Sequence, residues 1–409
     1  MQIFLRYFLI TLYLTIGFIP SYGSIDKVQT QHLYLSLLNI LSFGFIIYTG
    51  QRMHFKKFIW TEYFFLTVFT IWSFISLIYS INKIETTVNL IRLLTFLFSG
   101  YLILKLLSKV KLNIVLLIYL AIFIVEVSLP LKVYFEIVKT ETFVFKFSNY
   151  LKTFTGNKNI TAAIIAFKLP FLLYFFSVTN NKFLKFLLII LQISAFYLLV
   201  LLSSRAALLS STIFILIVPM LLLFKIKKFK LKSFAPYIIY SFSFLTVTLF
   251  SYYNFDTDNT ISLKQRALTV NTKDASASQR LRFYKHGLTH IKNNPIIGLG
   301  LGNWKTKSIE YDKDNIQSYI VPYHLHNDFL QYFTELGLFG FLFYLATFLI
   351  AFKNILKRLF SSDKFYFNLL LLGSLLVFFV DSNLNFPYHR PIQMINFLFL
   401  ISMIHNEKE

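Results

Sequence analysis

Twelve apolar runs, most of them close to 20 residues long, constrain this chain more than any other feature of its sequence. A helix of about 20 apolar residues spans the hydrocarbon core of a bilayer. The runs lie near residues 3–20, 31–50, 58–80, 88–108, 112–130, 160–178, 183–203, 206–224, 235–253, 326–352, 366–381 and 391–405. Hydrophobic residues make up 56% of the chain, and Phe alone occurs 50 times, more than a soluble core requires. The sequence therefore predicts an all-α integral membrane protein with about 12 transmembrane helices.

Basic residues set the expected orientation of these helices. The net charge of +22 could suggest a nucleic-acid partner, but the lysines cluster in alternate short loops between apolar runs. That placement is typical of cytoplasmic loops, so we expect a bilayer partner and no nucleic acid. These basic loops fall near 52–57, 105–111, 182–185, 225–232 and 353–364. Both termini are then cytoplasmic, and the loops at 131–159 and 254–325 face outward.

The same pattern predicts three parts. Residues 1–253 hold transmembrane helices 1 to 9, residues 254–325 form one long outer loop containing short helices, and residues 326–409 hold helices 10 to 12. The N-terminal run lacks a small-residue cleavage site, so we interpret it as a first membrane helix. The absence of cysteine excludes a disulfide, a thiolate zinc site and a cysteine nucleophile.

An arginine-bearing helix is predicted inside the outer loop. Its apolar face is expected to carry four residues at helical spacing, and the helix should stop at Asn293, Asn294 and Pro295. The four residues are Leu281, Tyr284, Leu288 and Ile291. Arg280 flanks this face and is expected to point inward. Arg282, Lys285 and Lys292 lie on the opposite face, where simple solvation is expected.

A second arginine, Arg205, follows two serines where span seven reaches the outer surface. An arginine at the membrane interface usually has an anionic partner. Snorkelling to lipid headgroups is an equally good account from position alone. The small flanking residues favour a functional role, because they leave room beside the guanidinium.

His326 opens span ten within the segment His324-Leu-His-Asn-Asp. Asn327 or Asp328 can cap the helix, and the helix dipole favours an anion at this end. A lone histidine here would usually be a capping residue. The two outward arginines make a catalytic role for His326 the preferred interpretation.

Other polar motifs are weaker. The glycines at 298, 300 and 302 favour structural turns over a phosphate-binding loop. Asp312 and Asp314 have the spacing of a metal-binding pair, but a solvated loop is the stronger interpretation. Asn157 and Asn159 sit in a turn-prone cluster where a helix cap is favoured. Arg390 either lines the same outer cavity or anchors at headgroups, with the anchor slightly favoured.

These residue types suit one reaction class. Guanidinium groups match pyrophosphate oxygens, and a histidine can take a proton from a hydroxyl. A metal would not be needed. Nucleotide sugars are not expected outside the cytoplasm, so a donor there would be lipid-linked. A transporter or lipid flippase is the rival class, but Arg92 and Glu126, the nearest intramembrane candidates, are not well centred in their spans.

Several motifs resemble the O-antigen ligase family of membrane glycosyltransferases. They are SQRLRFYKHGL, NNPIIGLGLGNW and HLHNDFLQYFTELGLFG, with SSRAALL, GNKNITA and NFPYHRP in the same order as in the family. The resemblance covers roughly residues 150–400. It implies a GT-C-like enzyme of the bacterial inner membrane, with a periplasmic active site and no metal or other cofactor.

The resemblance also implies substrates and residue roles. A glycan would pass from undecaprenyl pyrophosphate to an acceptor. The leading candidate for the acceptor is the lipid A-core, as in a ligase reaction. A repeat-unit polymerase and a protein O-oligosaccharyltransferase remain alternatives. The catalytic set would be His326, Arg280 and Arg205. Expected substrate-binding residues are Asn327, Tyr284, Asn157, Asn159, Arg390 and His324. Tyr284 stands where the family often has tryptophan, four residues after the loop arginine.

Overall fold

The computed structural model describes residues 1–51, 61–143, 145–225, 231–254, 275–316, 321–362 and 364–405. Within these ranges the chain is helical and contains no strand. The first nine helices are α1 Gln2–Leu14, α2 Lys27–Tyr48, α3 Glu62–Ile75, α4 Lys83–Leu107, α5 Leu112–Thr140, α6 Lys158–Val178, α7 Lys182–Leu202, α8 Arg205–Lys225 and α9 Leu231–Asn254. The others are α10 Ala275–Asn293, α11 Trp304–Asp312, α12 Asp328–Ser361, α13 Phe365–Leu384 and α14 Pro391–Ile404.

Nine helices in the described ranges are long and apolar enough to cross a membrane. Three further apolar helices, α1, α3 and α14, are shorter. Each of the twelve predicted runs coincides with one of these helices, so an all-α, multi-pass membrane protein is confirmed. The count of 12 spans stays a prediction, because a helix of 13 or 14 residues is short for a bilayer.

Two polar helices, α10 and α11, lie between α9 and α12. They fall inside the predicted outer loop, and α10 ends at Asn293 as expected. Residues 255–274 and 317–320 of that loop lie outside the described residues. That this loop faces outward stays a prediction.

The chain divides into two compact units. The first unit combines Met1–Lys111, Asn271–Lys353 and Ser382–Lys408. In it α4 packs against α14 and α2. The hydroxyl of Tyr63 on α3 lies within hydrogen-bonding distance of the carbonyl oxygens of Gly100 and Leu398, at 3.1 and 3.2 Å. These contacts link α3, α4 and α14.

The segment between α10 and α11, residues 294–303, packs directly onto the first turns of α12. We call it the polar loop. Gly298, Gly300 and Gly302 all have positive φ, and a Cβ on Gly298 would lie 2.6 Å from the backbone of Glu335. The Glu335 carboxylate accepts hydrogen bonds from the backbone N–H groups of Gly302 and Trp304, at 2.7 and 3.2 Å. The glycines therefore serve tight turns, as the sequence predicted.

The buried face of α10 differs from the predicted one. Leu281 and Leu288 are 53% and 57% exposed, whereas Phe283 is 3% exposed. Phe283 packs in a small core with Leu299, Trp304 and Leu325. The prediction was wrong for Leu281 and Leu288 and right for Ile291, which is 9% exposed. The residues that cover α10 come from later segments of the chain, and these favour Phe283 over the two leucines.

The second unit combines Leu112–Val270 and Asn354–Asp381, with Glu409. Within it, α7 packs against α6 and α9. Glu126 of α5 and Lys168 of α6 form an ion pair in which both side chains are 1% exposed. Both lie near the middle of their helices. That Glu126 is not well centred in the bilayer stays a prediction.

Candidate active site

His326 occupies a strained turn immediately before α12. Its φ is 55°, a left-handed value that a residue with a side chain rarely adopts. The side chain of Asn327 accepts a hydrogen bond from Leu330 N at 2.9 Å, which caps α12 as predicted. The buried Nδ1 of His326 has no hydrogen-bond partner among the described residues. Strain together with an unpartnered ring nitrogen is typical of a functional position.

Tyr284 connects the arginine helix to this turn. Its hydroxyl lies 3.0 Å from the carbonyl oxygen of His326 and 3.4 Å from that of Asn383. Burial raises the pKa of Tyr284, so the phenol stays protonated and donates. The hydroxyl therefore holds three segments together: α10, the turn before α12 and the end of α13.

Arg280 lies one helical turn before Tyr284 on α10. Its Nη2 donates to Asn385 Oδ1 at 3.5 Å, a long hydrogen bond to the segment after α13. No described carboxylate forms an ion pair with Arg280. The guanidinium is half-buried, so α10 directs it inward as the sequence predicted.

Phe386 brings the remaining basic groups to the same place. His324 stacks on its ring with a centroid distance of 4.2 Å, and the ring of His326 is 5.0 Å away. The guanidinium carbon of Arg390 lies 4.7 Å from the same centroid. Two histidines and an arginine therefore surround one aromatic ring.

Burial and positive charge determine the protonation of His326. Burial, followed by Arg280 and Arg390, lowers its pKa to about 4. His324 is shifted in the same direction, because burial and then His389 and Arg390 lower its pKa well below the usual range. The imidazole of His326 is consequently neutral at pH 7, and the arginines beside it favour a bound anion.

Two roles were predicted for Arg390, a headgroup anchor and a residue that lines the outer cavity. Its effect on the pKa of His326 helps to distinguish them. It is half-buried over Phe386 and acts on both histidines of the turn. The slightly favoured interpretation, a headgroup anchor, does not account for these contacts. The alternative, that Arg390 helps line the outer cavity, fits them.

Arg282 has a structural partner that the sequence interpretation missed. Its Nε and Nη2 donate to the two oxygens of Asp312, at 2.7 and 3.1 Å. Nε2 of His286 lies 3.2 Å from the same carboxylate. Simple solvation was therefore wrong for Arg282 and for Asp312, which is 2% exposed. Asp314, the other member of the proposed metal pair, is exposed as expected.

Three of the predicted site residues belong to the second unit. Arg205 is exposed at the first position of α8, two residues after Ser203, whose φ is 53°. Asn157 is the N-cap of α6, and its side chain accepts from the backbone N–H of Asn159 at 2.9 Å. The helix-cap interpretation of this cluster is confirmed. Substrate contacts by Asn157, Asn159 and Arg205 stay predictions.

Comparison with known proteins identifies the relatives of this chain. Residues 190–345 match the family model described as O-Antigen ligase. The chain is also similar to exopolysaccharide production protein ExoQ of Rhizobium meliloti (strain 1021), with 30% identity over 125 residues. Over residues 190–345 the chain is therefore similar to the O-antigen ligase family. The segment aligned with ExoQ spans 29% of this chain and 29% of that protein.

The resemblance predicted from the motifs is thereby confirmed, over a narrower region than the expected 150–400. The region matched by the O-antigen ligase family model contains Arg205, Arg280 and His326 and ends before Arg390. Phe386 also lies beyond it and was missed by sequence reasoning. A lone phenylalanine among 50 carries no signal of its own, and only its place in the NFPYHRP motif could have drawn attention to it.

Proposed function

We propose that this protein transfers a glycan from undecaprenyl pyrophosphate to an acceptor hydroxyl on the periplasmic side of the bacterial inner membrane. The observation that carries the proposal is a neutral, half-buried His326 beside Arg280 and Arg390. Neither arginine has an ion-pair partner among the described residues. A general base next to unpaired guanidinium groups suits a diphosphate leaving group.

In the proposed step, the acceptor oxygen forms a bond to the anomeric carbon as the bond from that carbon to the phosphate oxygen breaks. His326 takes the hydroxyl proton, and undecaprenyl pyrophosphate leaves with the bonding electron pair. Arg280 and Arg390 stabilise the negative charge that develops on the leaving group. The bound diphosphate also offsets the positive field on His326, which raises its pKa and strengthens it as a base. Arg205 is proposed as a further pyrophosphate ligand on the basis of the resemblance alone.

Three acceptors are proposed, in order of preference. The leading candidate is the lipid A-core of a ligase reaction, because the His-Asn and arginine motifs resemble that type. The similarity to a protein named for exopolysaccharide production favours the alternative of a repeat-unit polymerase. A strain lacking the gene separates them: long lipid-linked chains beside bare core indicate a ligase, whereas core with single repeats indicates a polymerase. Intact lipopolysaccharide with unglycosylated proteins would instead indicate a protein O-oligosaccharyltransferase.

Substitutions test the chemistry, with glycan transfer measured on the purified protein and the amount of protein measured in membranes. His326→Ala and Arg280→Ala should each abolish glycan transfer while membrane levels stay normal. Lys285→Ala is the matched control, because Lys285 is an exposed cation on the same helix as Arg280. Normal transfer by either site variant removes that residue from the mechanism. Unchanged surface and lipid-linked glycans in the deletion strain would count against glycan transfer as a whole.

A further inference from the structure

A second group of basic side chains lies next to the candidate site in the first unit. The ring of His389 is 4.6 Å from that of His324. The neighbouring Tyr388 contacts Phe96 of α4 edge-on, with 6.3 Å between the ring centroids. Phe96 in turn lies 5.0 Å from the ring of His32 on α2. Ring contacts thus connect the turn before α12 with two apolar helices.

Arg92 joins this group from α4. It precedes Phe96 by four residues, so the two side chains share one face of the helix. Burial lowers the pKa of His389 to about 3, and the further contributions come from Arg92, Arg390 and His32, in that order. Three basic side chains therefore lower the pKa of His389: His32 on α2, Arg92 on α4 and the neighbouring Arg390.

These basic groups lack acidic partners in contact. Among the described residues, no carboxylate forms an ion pair with Arg92 or Arg390. His32 is 8% exposed, and neither of its ring nitrogens has a hydrogen-bond partner there. The same holds for the buried Nε2 of His389 and Nε of Arg390. Arg92 and Arg390 are partly buried cations without a carboxylate in contact, and the neutral imidazoles of His32 and His389 can each donate one N–H, a combination that suits a bound anion.

Two carboxylates affect Arg92 electrostatically, but neither forms an ion pair with it. They are Asp26 and Glu85, and Glu85 is already paired with Lys305. Asp26 caps α2 with its side chain, accepting from Val28 N at 3.0 Å. Asp26 also acts on Arg390 from a distance, but neither carboxylate contacts the arginines of the cluster.

The basic residues are also spread along the axis of α4. The residue before this helix, Asn82, donates its backbone N–H to Asn303 Oδ1 of the polar loop at 2.6 Å. Arg92 comes nine residues after Lys83, which places it about 14 Å further along the helix axis. Arg280 and His326, by contrast, lie on the polar segments outside the apolar helices. The basic groups thus continue from these polar segments into a candidate membrane span.

We propose that Arg92, His389 and His32 form a second phosphate subsite, which holds the lipid-side phosphate of a polyprenyl diphosphate. Arg280 and Arg390 would then hold the sugar-side phosphate, next to His326. This inference rests on the proposed function and adds how the donor is oriented. A lipid diphosphate has its sugar outside and its prenyl chain in the bilayer, so its two phosphates lie at different depths. The two groups of basic residues follow the same order.

Binding measurements on the full-length protein in detergent test the subsite. Undecaprenyl pyrophosphate and undecaprenyl phosphate are titrated against wild type and Arg92→Gln. The variant should weaken diphosphate binding about tenfold to a hundredfold, the effect of losing one charged hydrogen-bonding group. Monophosphate binding should change by less than about twofold, because that phosphate can use the outer arginines. Lys83→Gln, an exposed cation on the same helix, should change neither affinity.

Three results would overturn the subsite. They are an equal loss for both lipids, no loss for either, or an Arg92-dependent affinity for phosphatidylglycerol vesicles that matches the diphosphate. Arg92→Lys guards against misfolding, since it keeps the charge and should show a smaller, still diphosphate-selective loss. If wild type binds the diphosphate and Arg92→Gln binds it with the same affinity, the subsite is refuted and the proposed function is not. A wild type that binds neither lipid refutes the proposed function itself.

Discussion

The hydroxyl of Tyr284 donates a hydrogen bond to the backbone carbonyl of His326 at 3.0 Å. This contact holds the left-handed turn of the candidate base against the helix that carries Arg280. It explains how a residue of α10 can position a residue that lies 42 positions later. Tyr284 is therefore a positioning residue, and its polar end matters as much as its ring.

Tyr284→Phe should keep the packing of the ring and lose this hydrogen bond. We expect the transfer rate to fall about two- to tenfold, with little change in donor affinity, since the arginines are untouched. Initial rates at saturating donor measure the effect. Tyr284→Trp carries the residue often found in the family and restores an N–H donor, so it should recover part of the rate. Equal rates for Phe and wild type would contradict the positioning role.

The pH dependence of transfer should report His326. Its pKa of about 4 means that the base is neutral, and active, across the usual pH range. The specificity constant kcat/KM should therefore be flat above about pH 5 and fall about tenfold per unit below the pKa. Arg390→Gln removes a positive charge that disfavours the imidazolium, so the pKa rises and the acid limb moves to higher pH. Lys285→Gln should leave the limb in place, and an unshifted limb in Arg390→Gln would contradict the arrangement.

The ion pair between Arg282 and Asp312 should stabilise the polar loop. Asp312→Asn removes the charge that two side chains share, Arg282 and His286. We expect the free energy of unfolding to fall by about 1–3 kcal/mol, because the partly buried guanidinium of Arg282 loses its ionised partner and keeps only a neutral amide oxygen as acceptor. Thermal unfolding in detergent measures it, with the exposed Asp314→Asn as control. Similar melting temperatures for both variants would show that the pair contributes little.

Local signals were enough to predict much of this protein. The apolar runs specify the helices, and the Asn157 and Asn327 caps follow from residue types at helix starts. The burial of Phe283 on α10 did not follow, because the residues that cover it, Leu299, Trp304 and Leu325, come later in the chain. The partner of Arg282 lies 30 residues away and was equally invisible in the local pattern. Tertiary contacts of this kind decide which polar groups are paired and which stay available for a substrate.

Gly337 should be among the least replaceable residues of α12. Its φ is 67°, and a Cβ there would lie 1.9 Å from the carbonyl oxygen of Ile296. Gly337→Ala should lower the free energy of unfolding by about 3 kcal/mol through strain and overlap. Gly44→Ala on α2 is the matched control, since its Cβ meets nothing within 4 Å. Helix propensity predicts that this control is neutral or stabilising by up to about 1 kcal/mol, and comparable losses in both variants would contradict the argument.

The buried pair of Glu126 and Lys168 separates the enzyme from the rival transporter class. Both side chains are 1% exposed, and Lys168 Nζ lies 2.8 and 2.7 Å from the two carboxylate oxygens. Lys168→Met alone leaves the carboxylate unpaired and should cost about 3–5 kcal/mol of stability. The double variant Glu126→Leu with Lys168→Met removes both charges and should regain most of that loss. If the pair is structural, the double variant also keeps glycan transfer. A stable double variant without transfer would mean that these charges take part in function, and a proton-coupled or transport step would then have to be considered.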